Sequence, residues 1–250
     1  MLRMRIHALA SGSKGNCFIL EFSDDVRIMI DCGTTQKYLK AAMKQLDISM
    51  ADIAALLITH EHSDHIAQMK MFKALKIYSP VCFADYMIES VRPFEKFMIK
   101  GIEILPLVLS HDASITVGYI FDDGCERVAY ITDTGYVSER YFPLLKDIDH
   151  IVIESNHNVQ MLMESARPMH IKRRILGANG HLCNEDCADV LSRIIGPKTK
   201  GIMLAHLSLE ANDPAVALAT NVDYFKNNGI DVDKITIKVC KQFEIVTLGD

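Results

Sequence analysis

Three imidazoles and the carboxylate of Asp64 fall within six consecutive positions, His60-Glu61-His62-Ser63-Asp64-His65. Thr59 and an apolar run over residues 53–58 precede them, and that run is short enough for a buried strand. Side chains of this kind are rarely buried unless they are paired or bound to a cation. A lone histidine or one His-x-His pair is commonly just surface, but the full string leaves little room for that reading. Ligands at the end of a buried strand sit on a rigid element, as a metal site requires. Imidazole nitrogen and carboxylate oxygen suit zinc, and also manganese or iron. With distant residues added, the loop offers too many ligands for one closed tetrahedron, so the spacing predicts two divalent metal ions sharing one cleft.

The remaining composition narrows the setting. A net charge of −5 over 250 residues argues against a nonspecific, highly basic nucleic-acid binder, although a metal-loaded nuclease needs no such excess. One local basic stretch, Lys172-Arg173-Arg174, follows Arg167 and His170, and it reads either as phosphate contacts or as a solvated helix face. There is no run of about twenty apolar residues to span a membrane, and residues 1–6 carry no long apolar leader segment. Seven cysteines occur without a Cys-x-x-Cys pair, which points to a reducing, cytoplasmic compartment. The sequence leaves open whether the chain is a monomer or a homo-oligomer.

No repeat or low-complexity linker interrupts the chain, so residues 1–250 read as one domain. Strands are expected over 6–10, 17–22, 26–30, 53–58, 81–84, 102–109, 116–121, 127–131, 150–154, 201–205, 235–239 and 244–248. Helices are expected from Thr34 or Thr35 through Leu46, and over 66–75, 139–146, 157–165, 171–176, 184–194 and 214–227. Two face-to-face sheets with helices outside fit that order. The loop Ser11-Gly12-Ser13-Lys14-Gly15-Asn16 is either an ordinary hairpin turn or a phosphate cradle of backbone N–H groups with Lys14 approaching the substrate.

Further strand ends repeat the pattern of the first. Asp31 follows Ile28-Met29-Ile30, His111 follows Leu107-Val108-Leu109-Ser110, Asp133 follows Ala129-Tyr130-Ile131-Thr132, and His206 follows Ile202-Met203-Leu204-Ala205. Any one of these has an ordinary reading as a satisfied polar residue; their recurrence predicts delivery to one rim.

The ordered set His60-x-His62-x-Asp64-His65, with Asp31 upstream and His111, Asp133 and His206 downstream, resembles the metallo-β-lactamase superfamily. More narrowly, Leu9–Asn16, Thr132-Asp133-Thr134-Gly135, Glu154-Ser155-Asn156-His157, Gly180-His181-Leu182-Cys183-Asn184 and His206-Leu207-Ser208 resemble its YycJ/WalJ branch of metal-dependent 5′-to-3′ DNA exonucleases. Two positions depart from that branch: Cys183 stands where serine is common, and Asn212-Asp213 where two asparagines are expected. The resemblance implies an α/β, four-layer αββα sandwich with the site at one edge. It implies that His60, His62 and His111 hold one metal, that Asp64, His65 and His206 hold the other, and that Asp133 bridges them. Asp31 would orient a ligand histidine. His181, left over once the metal set is filled, would donate a proton to the leaving oxygen, oriented by Glu154 as in the superfamily's transfer-RNA 3′-processing nucleases. The catalytic groups are then His181, Glu154 and Asp64; Ser11, Ser13, Lys14, Asn16, Lys172, Arg173 and Arg174 are the candidates for substrate contact.

The implied activity is phosphodiester hydrolysis of nucleic acid, with DNA favoured. A small-molecule phosphodiesterase or thioester hydrolase of the same fold is the alternative, and a deep closed pocket would favour it. A non-hydrolytic scaffold would have no need for the full ligand set, and a di-iron electron-transfer role would need a flavin partner domain.

Overall fold

The apolar runs pair into two sheets of seven strands each. The computed structural model describes residues 4–22 and 25–249, so residues 1–3 of the segment searched for a leader lie outside it. The first sheet contains β1 (Arg5–Ala10), β2 (Cys17–Glu21), β3 (Arg27–Ile30), β4 (Ile53–Leu57), β5 (Lys76–Ser79) and β6 (Ile88–Ser90). The second contains β7 (Phe97–Ile99), β8 (Ile102–Leu109), β9 (Thr116–Asp122), β10 (Arg127–Ile131), β11 (His150–Glu154), β12 (Gly201–Ala205) and β13 (Thr236–Val239). The last strand, β14 (Val246–Leu248), returns to the first sheet beside β1. Strand order is β14-β1-β2-β3-β4-β5-β6 in one sheet and β13-β12-β11-β10-β9-β8-β7 in the other.

Side-chain alternation explains the layering. Val152 of β11 points into the core between the sheets with Phe18, Leu57, Tyr119 and Tyr130. Its neighbours Ile151 and Ile153 point the other way, into a second core with Leu191, Ile194, Ala217 and Phe225. Those last four belong to α6 (Asn184–Ile194) and α7 (Pro214–Asn227). On the far side, Ile19, Met29 and Leu56 pack on Leu39 and Met43 of α1 (Gln36–Gln45). The result is helix, sheet, sheet, helix, as expected. Each fully buried Leu, Ile or Phe contributes about 1.5–3 kcal/mol, and three such cores supply the rigidity on which a site can rest.

Local departures from the expected elements have physical causes. No strand forms over 81–84; Pro80 lacks a donor for a ladder, and Val81 N instead donates to Ser79 Oγ at 3.0 Å. The sheet edge there is made by β5 and β6, which pair in parallel. The helix expected over 66–75 is a single turn, α2 (Ser63–Ile66), followed by a 3-10 turn at Met69–Phe72. Gln68 N donates to Cys32 O at 2.9 Å, which draws the chain onto the loop after β3 and bends the helix away. Before α3 (Phe142–Leu145), residues Glu139–Tyr141 form a 3-10 turn, and Pro143 sits in the first turn of α3.

The loop after β3 meets the ligand loop so closely that one glycine is required. A Cβ built on Gly33 would lie 1.8 Å from Asp64 O and 2.7 Å from Asn16 N. Gly33→Ala should therefore displace the loop bearing Asp64 and His65 and cost about 1–3 kcal/mol, the usual range for overpacking. Thermal unfolding together with metal content measures it, and an unchanged melting temperature with wild-type metal uptake would refute the contact.

Candidate metal centre

Strand direction brings the polar residues together. β3 runs parallel to β4, and β10, β11 and β12 run parallel to one another, so the residues at their C-terminal ends emerge at one edge. Asp31, His60, Asp133, Glu154 and His206 are these residues, and His111 joins them from just beyond β8. Asp31, Asp133 and His206 each have a positive φ of 58°, 59° and 56° respectively. The left-handed region is costly for residues with a Cβ, and it persists where the surroundings over-determine it.

Donor atoms within 4.8 Å of one another form four overlapping groups: His60, His62 and His111; His60, His65 and Asp133; Asp64, His65 and His206; and Asp133, Glu154, His181 and His206. Asp133 lies between the sets: Oδ2 is 3.5 Å from His65 Nε2, and Oδ1 is 3.4 Å from His206 Nε2 and 4.0 Å from His111 Nε2. All seven residues of the expected metal set are thus gathered at one edge.

Hydrogen bonds orient the rings. His65 Nδ1 donates to Asp31 Oδ2 at 2.7 Å, and Thr59 Oγ1 donates to the same oxygen at 2.9 Å. The Thr59 hydroxyl in turn lies 3.0 Å from His60 Nδ1, so it can accept from that ring. His111 Nδ1 donates to Gly180 O at 3.2 Å. His206 Nδ1 and His181 Nδ1 both donate to one oxygen, Glu154 Oε1, at 2.8 and 2.7 Å. In all five rings Nδ1 is engaged by the protein, and the buried Nε2 of His60 and of His206 is left without a hydrogen-bond partner, whereas His65 Nε2 meets the Asn16 amide at 3.0 Å.

The residues fit a metal. Nε2 of His60, Nε2 of His206 and Oδ2 of Asp133 are buried and lack any hydrogen-bond partner. Orphaned buried polar atoms of this kind are costly, and a cation satisfies all three. Burial lowers the pKa of His60 and of His111, which keeps their lone pairs free. Burial also opposes charge on His65 and His206, but the Asp133, Asp31 and Asp64 carboxylates raise His65 to about 10. Asp133 and Glu154 raise His206 to about 9. Burial would raise Glu154, yet His181 and His206 hold it at about 2. A cation at the Nε2 atoms replaces protons there. The centre is open rather than enclosed, since the side chains of Asp64 and His181 are 26% and 22% exposed.

The model of the beta-lactamase superfamily domain matches residues 26–206, a span that holds every one of these groups except the Ser11–Asn16 loop. The chain belongs to the beta-lactamase superfamily. Within it, the chain is 35% identical over 244 residues to the exodeoxyribonuclease YycJ of Bacillus anthracis, covering 92% of each sequence. It is 34% identical to the exodeoxyribonuclease WalJ of Streptococcus pneumoniae serotype 2 over 243 residues, 90% of each. In fold it is similar to the metallo-beta-lactamase fold protein YhfI from Bacillus subtilis (TM-score 0.72, 14% identity, 98% of this chain and 99% of that one). The short form of human tRNase Z is a further structural neighbour (TM-score 0.68, 12% identity, 98% of this chain and 100% of that one).

Several substrate candidates have other duties in this superfamily member. Lys172 is 6% exposed, and its Nζ donates to Met163 O at 2.5 Å and Ser165 O at 2.8 Å. It closes the end of α4 (Val159–Glu164) from within α5 (Met169–Ile175) and is not a phosphate contact. Arg174 pairs with Asp112, the residue after His111. Arg173 is exposed and has no carboxylate partner among the described residues.

The loop after β1 is a hairpin turn rather than a phosphate cradle. Its Ser11, Gly12, Lys14, Gly15 and Asn16 N–H groups are all spent within the protein, on Lys241 O, Asn16 Oδ1, Gln242 Oε1, Gly12 O and Asp64 O. Ser11 Oγ accepts from His206 N at 2.8 Å, and the Asn16 amide reaches His65 Nε2 at 3.0 Å. Ser11 and Asn16 therefore brace the centre, while the Ser13 and Lys14 side chains remain exposed. Sequence reasoning missed three further braces. They are the Thr59 hydroxyl, Asn156, whose Nδ2 donates to His206 O at 2.8 Å, and Glu61, which accepts from Ser114 N at 2.8 Å. Thr59 and Glu61 stand inside or beside the histidine string, the one signal that could have raised them.

Asp31→Asn removes the charge behind His65 while keeping the acceptor for Thr59 N. Loss of such a partner should weaken metal affinity by about 10- to 100-fold. Competition against a chelator of known affinity measures it. The Lys172→Ala variant should lower the melting temperature and leave the salt dependence of DNA binding as in the wild type.

Proposed function

We propose that this chain is a metal-dependent exodeoxyribonuclease that hydrolyses phosphodiesters from the 5′ end. The observation that carries the reading is that two donor groups share Asp133, and that one of them includes His181, held by the same Glu154 oxygen that holds His206. The names of the YycJ and WalJ relatives support the choice of DNA. The open edge favours a polymer over a small enclosed ester.

In this reading His60, His62 and His111 hold one cation, Asp64, His65 and His206 hold the second, and Asp133 spans both. Imidazole donors suit zinc and iron, carboxylate donors suit manganese, and no cysteine belongs to the groups. Cations bound there supply a lowered pKa for water and charge to offset the phosphate. The chain's own residues do the rest. Asp31 and Thr59 fix the rings of His65 and His60. Glu154, ionised and fully buried, keeps the Nδ1 proton of His181, so Nε2 faces the cleft and can protonate the leaving oxygen. Arg173, Ser13 and Lys14 are exposed and available to the phosphate backbone. The full chain acts as one domain, and its seven unpaired cysteines suit the cytoplasm.

Asp133→Ala should lower metal content and activity together; a metal-replete, active variant would rule out a bridging role. His181→Ala should slow DNA hydrolysis by about 100- to 10,000-fold with metals retained. Bis(p-nitrophenyl) phosphate, whose leaving group needs little protonation, should be far less affected. Equal losses on both substrates would exclude the proton donor. Removing the Arg173 charge should flatten the salt dependence of duplex binding by about 0.9 log units per log of salt. The reading as a whole is tested by incubating metal-loaded protein with end-labelled DNA and RNA and following product length; stepwise shortening of DNA from one end is the expected result.

A further inference from the structure

Buried neutral side chains join the three segments that carry Glu154, His181 and His206. Glu154 ends β11 and is followed by Ser155 and Asn156. His181 precedes Asn184, the first residue of α6, and His206 leads from β12 to Asn212, just before the N-cap of α7. Backbone bonds bring the segments together: Ser155 N donates to Ala205 O at 2.9 Å, Asn156 N to Leu182 O at 2.9 Å, and Ser208 N to Asn156 O at 2.7 Å. Ser155 and Asn184 are fully buried, Asn156 and Asn212 nearly so.

Asn184 and Asn212 meet as two amides. Asn184 Nδ2 donates to Asn212 Oδ1 at 3.0 Å, and Asn212 Nδ2 donates to Asn184 Oδ1 at 2.9 Å. Ser155 Oγ donates to the same Asn184 oxygen at 2.7 Å. Asn212 Nδ2 also reaches Ser155 O at 2.9 Å and Asn156 O at 3.0 Å, and its Oδ1 accepts from Asp213 N at 3.0 Å. One amide thus holds the strand end, the His181 segment and the His206 segment at once, and neither asparagine belongs to a metal donor group. Buried amides are costly unless satisfied, and apolar side chains would fill the same space without that demand. What directional bonds add is a fixed separation. Two features require one. Glu154 Oε1 accepts from both His181 Nδ1 and His206 Nδ1, so both bonds survive only while the segments stay in place. His206 has a φ of 56°, which persists where the surroundings over-determine it, and Asn156 Nδ2 holds its carbonyl at 2.8 Å.

We propose that Asn184 and Asn212 are positioning residues, whose amide pair sets the separation of His181 from His206 across Glu154. The proposal rests on the reading of His181 as proton donor. A donor works within about 2.6–3.2 Å of the atom it protonates, and a misplacement of about 1 Å costs on the order of 100-fold. Asn184 stands in the His181 segment, so its loss frees that segment while Asn212 still holds the other two. Asn212 touches all three, so its loss frees His206 as well.

The test uses the full-length, zinc-loaded chain with Asn184→Ala, Asn212→Ala, His181→Ala, and Asn184→Ala built into His181→Ala. Rates are compared well below each melting temperature, so that lost stability does not enter. Asn184→Ala should slow DNA hydrolysis by about tenfold or more with metal retained, and bis(p-nitrophenyl) phosphate far less. In the His181→Ala background the same change should have little further effect, because Asn184 acts through His181. Asn212→Ala should match it on DNA and also lose metal more readily to a chelator. Asn184→Ser, which keeps one donor and one acceptor, should show a smaller DNA loss and replaces the alanine variant if that one does not fold. NMR of the histidine ring N–H protons reads the geometry without turnover. The wild type should show exchange-protected Nδ1 protons on His181 and His206, and Asn184→Ala should lose the protection at His181 alone. Where His181→Ala separates the two substrates, equal losses on both in Asn184→Ala, or an additive loss in the His181→Ala background, would overturn the positioning role. If His181→Ala slows both substrates equally, the proton-donor reading fails separately. The NMR comparison then decides: protection of His181 lost in Asn184→Ala sustains the amide pair as its positioning device, and unchanged protection overturns it.

Discussion

A fully buried carboxylate surrounded by imidazoles is the constraint on which the edge of this sandwich depends. Asp133 faces His206, His65, His60 and His111, and these rings pull its pKa well below the usual range despite complete burial. Such a cluster is tolerable only if its charges are compensated and its polar atoms satisfied. The orphaned Asp133 Oδ2, His60 Nε2 and His206 Nε2 leave that compensation to a cation. The left-handed backbone at Asp31, Asp133 and His206 belongs to the same requirement, because it turns each side chain sharply at the end of its strand.

Glu154 links the donor cluster to the group poised outside it. One of its oxygens accepts from both His206 and His181, and the other accepts from Thr134 N, one residue after Asp133. His206, His181 and the loop that carries Asp133 therefore share a single rigid anchor on β11. A network of this kind is worth more than its separate bonds, and removing any member leaves buried polar atoms behind. Ser11 and Asn16 extend it into the first sheet, so both sheets carry the centre.

The rim is organised by which charges are already taken. Lys172 and Arg174 are committed to carbonyls and to Asp112, whereas Arg173 is not. A net negative chain can thus present positive charge locally where a phosphate backbone would pass.

Much of this was legible in the sequence, and for a local reason. Strands such as Ile102–Leu109 and Arg127–Ile131, and helices such as Asn184–Ile194 and Pro214–Asn227, have boundaries set by their own periodicity, caps and prolines, and they appear where expected. Candidate donors stood out because Asp31, His111, Asp133 and His206 each follow an apolar strand and His60, His62, Asp64 and His65 crowd one short string after a further strand, and strands that run the same way deliver their ends to one edge. Tertiary structure decided the rest. Lys172 looks like its neighbours Arg173 and Arg174 in sequence, but only the helix's rotation against α4 turns it inward. The Ser11–Asn16 loop has the composition of an anion cradle, yet its N–H groups are consumed by partners as far away as Lys241 and Gln242. Pairing of this kind depends on contacts between residues more than two hundred positions apart, and no local pattern encodes it.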